Sequence, residues 1–157
     1  MISFVHAFPT IIFHPVFLTV AASWFTAQLT KVVLHYARTG EFDGRLLTET
    51  GGMPSSHSAF VSSLATCLGL WAGWTSPVFM LGLGFAIITM HDAAGLRMAA
   101  GRQAALLNKM VAQLYDRRKA AELPVMKEML GHSPVQVLSG AALGILAAFL
   151  LFPALTR

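Results

Sequence analysis

Apolar residues occur in four long stretches that polar segments separate. The stretches run over about residues 11–34, 58–74, 77–90 and 134–154. A helix that crosses a bilayer needs about 20 consecutive apolar residues, so the pattern predicts about four spans. Only Thr75 and Ser76 separate the second and third stretches, which predicts a tight hairpin with Pro77 in the first turn of the third helix.

Two polar segments, about residues 31–57 and 91–133, connect the predicted spans. In the second segment, apolar residues recur at helical spacing between Leu107 and Leu114, which predicts an amphipathic helix at the membrane surface. Pro124 is expected to break this helix. A short helix over Val125–Leu130 is expected to follow.

Composition supports the membrane class. Apolar residues make up 55% of the chain and charged residues only 11%, whereas soluble domains carry about 25% charged residues. This balance excludes a disordered or collagen-like chain. We predict an all-α protein that forms a single membrane-embedded domain over residues 1–157. Its predicted architecture is a polytopic membrane helical bundle of about four spans plus an interfacial amphipathic helix.

Charge predicts the topology. Ten of the eleven Lys and Arg residues and all seven acidic residues lie in the two polar segments. The positive-inside rule then places both segments in the cytoplasm, and we expect an integral protein of the bacterial inner membrane. The net charge of +4 is interpreted as a signal of topology and of contact with anionic head groups, so no nucleic-acid partner is expected.

Glycines such as Gly82 and Gly140 suit close contacts between helices, and a homo-oligomer is left open as a partner state.

The most informative polar sequence is Gly51-Gly52-Met53-Pro54-Ser55-Ser56-His57-Ser58, directly before the second span. Helix N-termini expose free N–H groups and the positive end of the helix dipole, so they bind anions. Glycines such as Gly52 let a ligand approach the backbone, Ser55 and Ser56 can cap the helix or donate hydroxyls, and His57 can titrate near neutral pH. A simple helix-capping turn is the alternative, but the combination favours anion binding.

Two cations precede this sequence. Lys31 and Arg38 are seven residues apart, so on a continuous helix they share a face two turns apart and could clamp a phosphate. Lys31 could instead anchor the helix at the interface.

Further polar residues lie before the fourth span and after the third. Ser133 and Gln136 form a capping-box pattern, so Gln136 has a structural explanation of its own. Asp92, Arg97 and Arg102 follow the third span, where ionisable groups are costly unless they are paired or functional.

In order, these residues resemble the motifs of the type 2 phosphatidic acid phosphatase superfamily, which includes lipid phosphate phosphatases and vanadium haloperoxidases, and more narrowly its small divergent branch. Lys31 and Arg38 keep the spacing of the first motif, with Thr39 in place of its proline. Pro54-Ser55-Ser56-His57 resembles the second motif, Pro-Ser-Gly-His. In the third, His132 is followed by Gln136 where the superfamily has aspartate.

The third motif's arginine is replaced by Met126, and Arg97 is the favoured substitute over Arg102. Asp92 or Glu128 could replace the missing carboxylate.

The resemblance implies phosphoryl transfer without a metal or other cofactor. His132 would attack phosphorus and form a phosphohistidine, and His57 would protonate the leaving oxygen and then activate water. The cations Lys31, Arg38 and Arg97, with groups at Ser55 and Ser56, would hold the phosphoryl oxygens.

Three functions remain open from the sequence. The first is a lipid phosphatase whose partners are the bilayer and a phosphorylated membrane lipid. The second is a non-catalytic binder or transporter of phosphorylated lipid that uses the same anion pocket. The third is a metal site built from His57, His91, Asp92 and His132, which no close ligand spacing supports.

Overall fold

The computed structural model describes residues 10–48, 52–114 and 133–157, without the side chains of residues 96–98 and 114. In these ranges 85% of residues are helical and none forms a strand. The helices are α1 (Pro15–Thr39), α2 (Ser56–Ala72), α3 (Pro77–Ala94), α4 (Leu96–Leu114) and α5 (Pro134–Leu155), with a short 3-10 helix over Gly44–Leu47. The predicted all-α class is therefore confirmed. The expected short helix over Val125–Leu130, and the break at Pro124, lie outside the described residues.

Local sequence explains where the helices begin. His14, Ser55, Ser76 and Ser133 each cap a helix with a side chain that accepts a backbone N–H. Proline occupies the first turn of α1, α3 and α5, where its missing N–H costs nothing. The predicted hairpin is confirmed, because only residues 73–76 separate α2 from α3.

Within the described ranges, three helical segments are long and apolar enough to cross a membrane: Pro15–Thr39, Pro77–Gln113 and Pro134–Leu155. The second predicted span also forms a helix, α2, but with 17 residues it is only about 25 Å long. The predicted amphipathic helix forms as α4 over Leu96–Leu114.

Helix α2 lies at the centre and packs against α1, α3 and α5. It is antiparallel to α1, because His14 contacts Trp71 while Lys31 contacts Ser56. It is parallel to α5, because the N–H of Ser55 donates to the carbonyl of Gln136 at the start of that helix. Among the described helices, α4 packs only against α3.

These directions bring the end of α1, the start of α2, the end of α3 and the start of α5 to one end of the bundle, here called the polar end. Both polar segments are attached there, as the predicted topology requires. The assignment of this end to the cytoplasm stays a prediction.

Small residues allow α5 to approach α2. A Cβ at Gly140 would overlap the backbone of Ser55, and one at Gly144 would overlap the carbonyl of Ala59 and the hydroxyl of Ser62. The Ser62 hydroxyl also donates to the carbonyl of Ala141 at 3.1 Å. A G-x-x-x-G pattern of this kind brings membrane helices into backbone contact, and here it fixes the start of α5 beside the start of α2.

Candidate functional site

The Pro-Ser-Ser-His segment forms the start of α2 at the polar end. Ser55 is fully buried, and its Oγ accepts hydrogen bonds from the N–H of Ser58 at 3.3 Å and from the Ser58 hydroxyl at 3.0 Å. Its own N–H donates to the carbonyl of Gln136 at 3.0 Å. Ser55 therefore acts as a helix cap and as the link to α5, and contact between Ser55 and an anion stays a prediction.

The next two residues supply donors for an anion. Ser56 and His57 occupy the first helical positions of α2, where backbone N–H groups have no intrahelical acceptor and the helix dipole is positive. Ser56 is buried and His57 is half-buried. The arrangement has the chemistry of an anion site, because N–H groups and a hydroxyl lie beside a titratable ring.

Lys31 lies directly against this helix start. Its Nζ is 3.4 Å from the hydroxyl of Ser56, and the residue is only 5% exposed. The side chain turns into the bundle towards α2, and its alternative role as an anchor at the membrane interface stays a prediction. No carboxylate among the described residues pairs with it. A buried ammonium is costly unless a counter-charge compensates it, so this position suits an anionic ligand.

Gly52 lies against the Lys31 side chain. Its φ angle is 75°, a region that glycine adopts without strain. A Cβ at Gly52 would lie 3.6 Å from Cδ of Lys31, so the glycine backbone packs along the lysine stem. The loop before α2 thereby packs against the lysine whose Nζ contacts Ser56, and the approach of a ligand to the Gly52 backbone stays a prediction.

Arg38 is placed differently. Helix α1 continues to Thr39, so the seven-residue spacing from Lys31 does correspond to two helical turns, about 10 Å along the axis. Arg38 is exposed in the last turn. The structure places it on the polar end beyond Lys31, without a contact to Ser56.

Gln136 forms the predicted capping box. Its Oε1 accepts a hydrogen bond from the N–H of Ser133 at 3.0 Å, and the Ser133 hydroxyl accepts one from the N–H of Gln136 at 3.3 Å. The expectation that Gln136 also supports His132 is not tested, because His132 lies outside the described residues.

The remaining predicted residues fall in two groups. His132, Glu128, Met126 and the side chain of Arg97 are outside the described part of the chain. Asp92, near the end of α3, and Arg102, on α4, are both exposed, and α4 has no contact with α1, α2 or α5. The structure thus joins Lys31, Gly52, Ser55, Ser56, His57 and Gln136 around the start of α2. Among the described helices, the one that carries Arg102 packs against α3 alone.

Sequence reasoning missed one residue of this region, Gln28. Its Nε2 donates to the carbonyl of Leu47 at 2.8 Å, which ties the 3-10 helix to α1 one turn before Lys31. Gln28 is buried. Its signal was available in the sequence, because an amide inside an apolar span needs a partner.

A protein-family model described as the Divergent PAP2 family matches residues 12–147. The match covers all the described residues of the site. This chain belongs to the divergent PAP2 family. The chain is also 42% identical over 135 residues to "Uncharacterized membrane protein YuiD" of Bacillus subtilis (strain 168), covering 80% of this chain and 85% of that protein. No solved structure matches the chain.

The family and the apolar helices together identify an integral membrane protein related to the PAP2 family. The resemblance drawn from the three motifs is therefore confirmed at the level of the family. In the described residues, no group of three or more His, Cys, Asp or Glu side chains could hold a metal ion.

Proposed function

We propose that the protein is a membrane lipid phosphatase that hydrolyses a phosphomonoester or diphosphate of a lipid. The observation that supports this most directly is the buried ammonium of Lys31, 3.4 Å from the Ser56 hydroxyl, at the N-terminus of α2. Positive charge and free N–H groups that converge at a helix start bind phosphate. The site belongs to a helix bundle that spans a membrane, so a phosphorylated lipid is the substrate class.

In the proposed reaction, His132 attacks phosphorus through a ring nitrogen and forms the N–P bond as the P–O bond to the lipid breaks. His57 gives its proton to the departing lipid oxygen. A water molecule then loses a proton to His57 and attacks phosphorus, which breaks the N–P bond and releases inorganic phosphate. Lys31, Arg38, Arg97 and the N–H groups at the start of α2 stabilise the charge on the phosphoryl oxygens.

Gln136 favours a second candidate, a non-catalytic binder or transporter of phosphorylated lipid. A carboxylate behind a catalytic histidine stabilises its charged form, and its replacement by an amide costs about 10⁴ in rate in serine proteases. Here the amide oxygen accepts the N–H of Ser133. Asp92 or Glu128 would have to supply the missing charge.

Phosphate release from the purified full-length protein separates the two candidates. We would supply phosphatidic acid, phosphatidylglycerophosphate and an isoprenyl diphosphate in detergent micelles, and compare wild type with His57→Ala and His132→Ala. His35→Ala, on α1, is the matched control. Turnover by wild type and His35→Ala that is lost in both other variants supports the phosphatase. Binding of these lipids without any phosphate release supports the second candidate and contradicts the first.

A further inference from the structure

A groove runs along the membrane-embedded part of the molecule between the N-terminal half of α1 and α2. Its volume is about 580 Å³, which is the size of a cavity for one small ligand. On α2 it is lined by Phe60, Leu64, Leu68 and Trp71, and on α1 by residues that include Phe17 and Val20. The lining is almost entirely apolar, so the occupant must be a hydrocarbon.

Both walls of the groove lead to the candidate site. On α2, Phe60, Leu64, Leu68 and Trp71 lie 3, 7, 11 and 14 residues after His57, which places them on the face of the helix that His57 begins. On α1, Val20 and Phe17 lie 11 and 14 residues before Lys31 and share its face by the same rule. The groove thus lies on the same helix faces as Lys31 and His57, which would contact the phosphate and its leaving oxygen.

We infer that this groove binds the hydrocarbon tail of the lipid whose phosphate occupies the site. The inference rests on the proposed function and adds a property of the substrate. The substrate has one long hydrocarbon chain, which extends from the head group on the side where His57 lies. In an in-line displacement the leaving oxygen lies opposite the nucleophile. His57 protonates that oxygen, and the oxygen carries the tail, so the tail must depart along the face of α2 that His57 shares with the groove.

The length of the groove fits a long chain. Along α2 the groove extends from Phe60 to Trp71, a rise of about 16 Å, which is about half the depth of a bilayer's hydrocarbon core. Exposed lipid-facing surfaces such as that of α3 can contact any lipid. The groove differs because it is concave and because its two walls point to His57 and Lys31.

The first test labels the wild-type full-length protein and does not require turnover. Hexadecyl phosphate and hexadecanol, each with a diazirine at mid-chain, are photolysed with the protein in nanodiscs, and the labelled residues are mapped by mass spectrometry. We expect the phosphate probe to label the groove residues about tenfold more than the alcohol does, because a charge-assisted hydrogen bond is worth about that factor. Equal labelling by both probes, or label spread over α3, overturns the inference.

The second test fills the groove with Leu64→Trp. Leu64 is partly buried in the groove wall. The matched control is Leu83→Trp on α3, since Leu83 is 37% exposed and lies outside the groove. We expect hydrolysis of hexadecyl phosphate by Leu64→Trp to show a KM raised roughly tenfold, since each methylene displaced from an apolar site costs about fourfold in affinity. Butyl phosphate hydrolysis should not change.

The two tests separate failure of the groove from failure of the phosphatase. Groove labelling by the phosphate probe in a protein that releases no phosphate supports the groove and contradicts only the proposed activity. Phosphate release with equal effects of Leu64→Trp and Leu83→Trp on both alkyl phosphates contradicts the groove and leaves the activity in place.

Discussion

The bundle has two unlike sides. On one, α1, α2 and α5 form what we call the α1–α2–α5 core, where hydroxyl side chains are buried and helix backbones touch. On the other, α3 buries only Gly82, Ala86 and Ala93 among its 18 residues. Most of its large apolar side chains are exposed, as with Leu81 and Ile88. Both sides are made of apolar helices, so hydrophobicity alone does not distinguish them.

The contrast shows what brings helices together in this protein. In lipid, apolar side chains gain little by leaving the hydrocarbon, so small residues and interhelical hydrogen bonds determine which helices pack closely. The core has Gly140, Gly144 and the bond from Ser62 to Ala141. The site lies where this close packing meets the polar end.

The largest expected difference between the two sides concerns Lys31. Lys31→Met should reduce turnover about 100-fold or more, the usual cost of removing one donor to a phosphoryl or oxyanion group. Lys109→Met, an exposed lysine on α4, should leave the rate within about twofold, since it lies outside the core. The measurement is phosphate release from a lipid phosphate.

Thermal stabilisation by vanadate is an independent measurement on Lys31→Met and Lys109→Met, because a ligand that binds the folded state raises the Tm. Wild type and Lys109→Met should be stabilised and Lys31→Met should not. Equal stabilisation of all three proteins would show that the anion binds elsewhere.

The second largest effect concerns the backbone contact between Gly140 of α5 and Ser55 at the start of α2. Gly140→Ala places a methyl group against the backbone of Ser55, and overpacking of this kind should lower the free energy of unfolding by about 1–3 kcal/mol. Gly84→Ala on α3 is the matched control, because nothing lies within 4 Å of the new Cβ. Its higher helix propensity should stabilise the protein by up to about 1 kcal/mol. Thermal unfolding in detergent measures both.

A shift of the Tm in the same direction by Gly140→Ala and Gly84→Ala would contradict the close approach of α5 to α2.

The smallest effect compares two helix caps. Ser76→Ala removes the cap of α3 and should cost about 1 kcal/mol. Ser55→Ala removes the cap of α2 and also leaves the buried Ser58 hydroxyl without its 3.0 Å partner, so it should cost about twice as much. The measurement is the free energy of unfolding of each variant. Identical losses would mean that the hydrogen bond between Ser55 and Ser58 contributes nothing to stability.

Much of the fold was predictable because it depends on local patterns. The apolar stretches predicted the helices, the short connection at Thr75 and Ser76 predicted the hairpin, and Ser133 with Gln136 predicted the capping box. The placement of Lys31 was not predictable in the same way. An interfacial lysine and a buried one look alike in a sequence, and only the partner across space distinguishes them.

The tie between Ser55 and Gln136 was beyond sequence reasoning for a related reason. The two residues are far apart in the chain, and the bond is made by backbone atoms that every residue carries. The sequence predicted that both segments belong to one site through their resemblance to known motifs. It could not predict that α5 reaches α2 through Gly140, which was interpreted only as a residue suited to close contacts.

That backbone bond has a consequence for how the site can change. The peptide groups of Ser55 and Gln136 hold the starts of α2 and α5 together, so replacing the side chain at position 136 does not remove the link. Substitutions there change the side chain that accepts the N–H of Ser133, while the backbone bond still joins the two helix starts. The contact between α2 and α5 therefore does not depend on glutamine at this position, and an aspartate there would keep the same backbone bond.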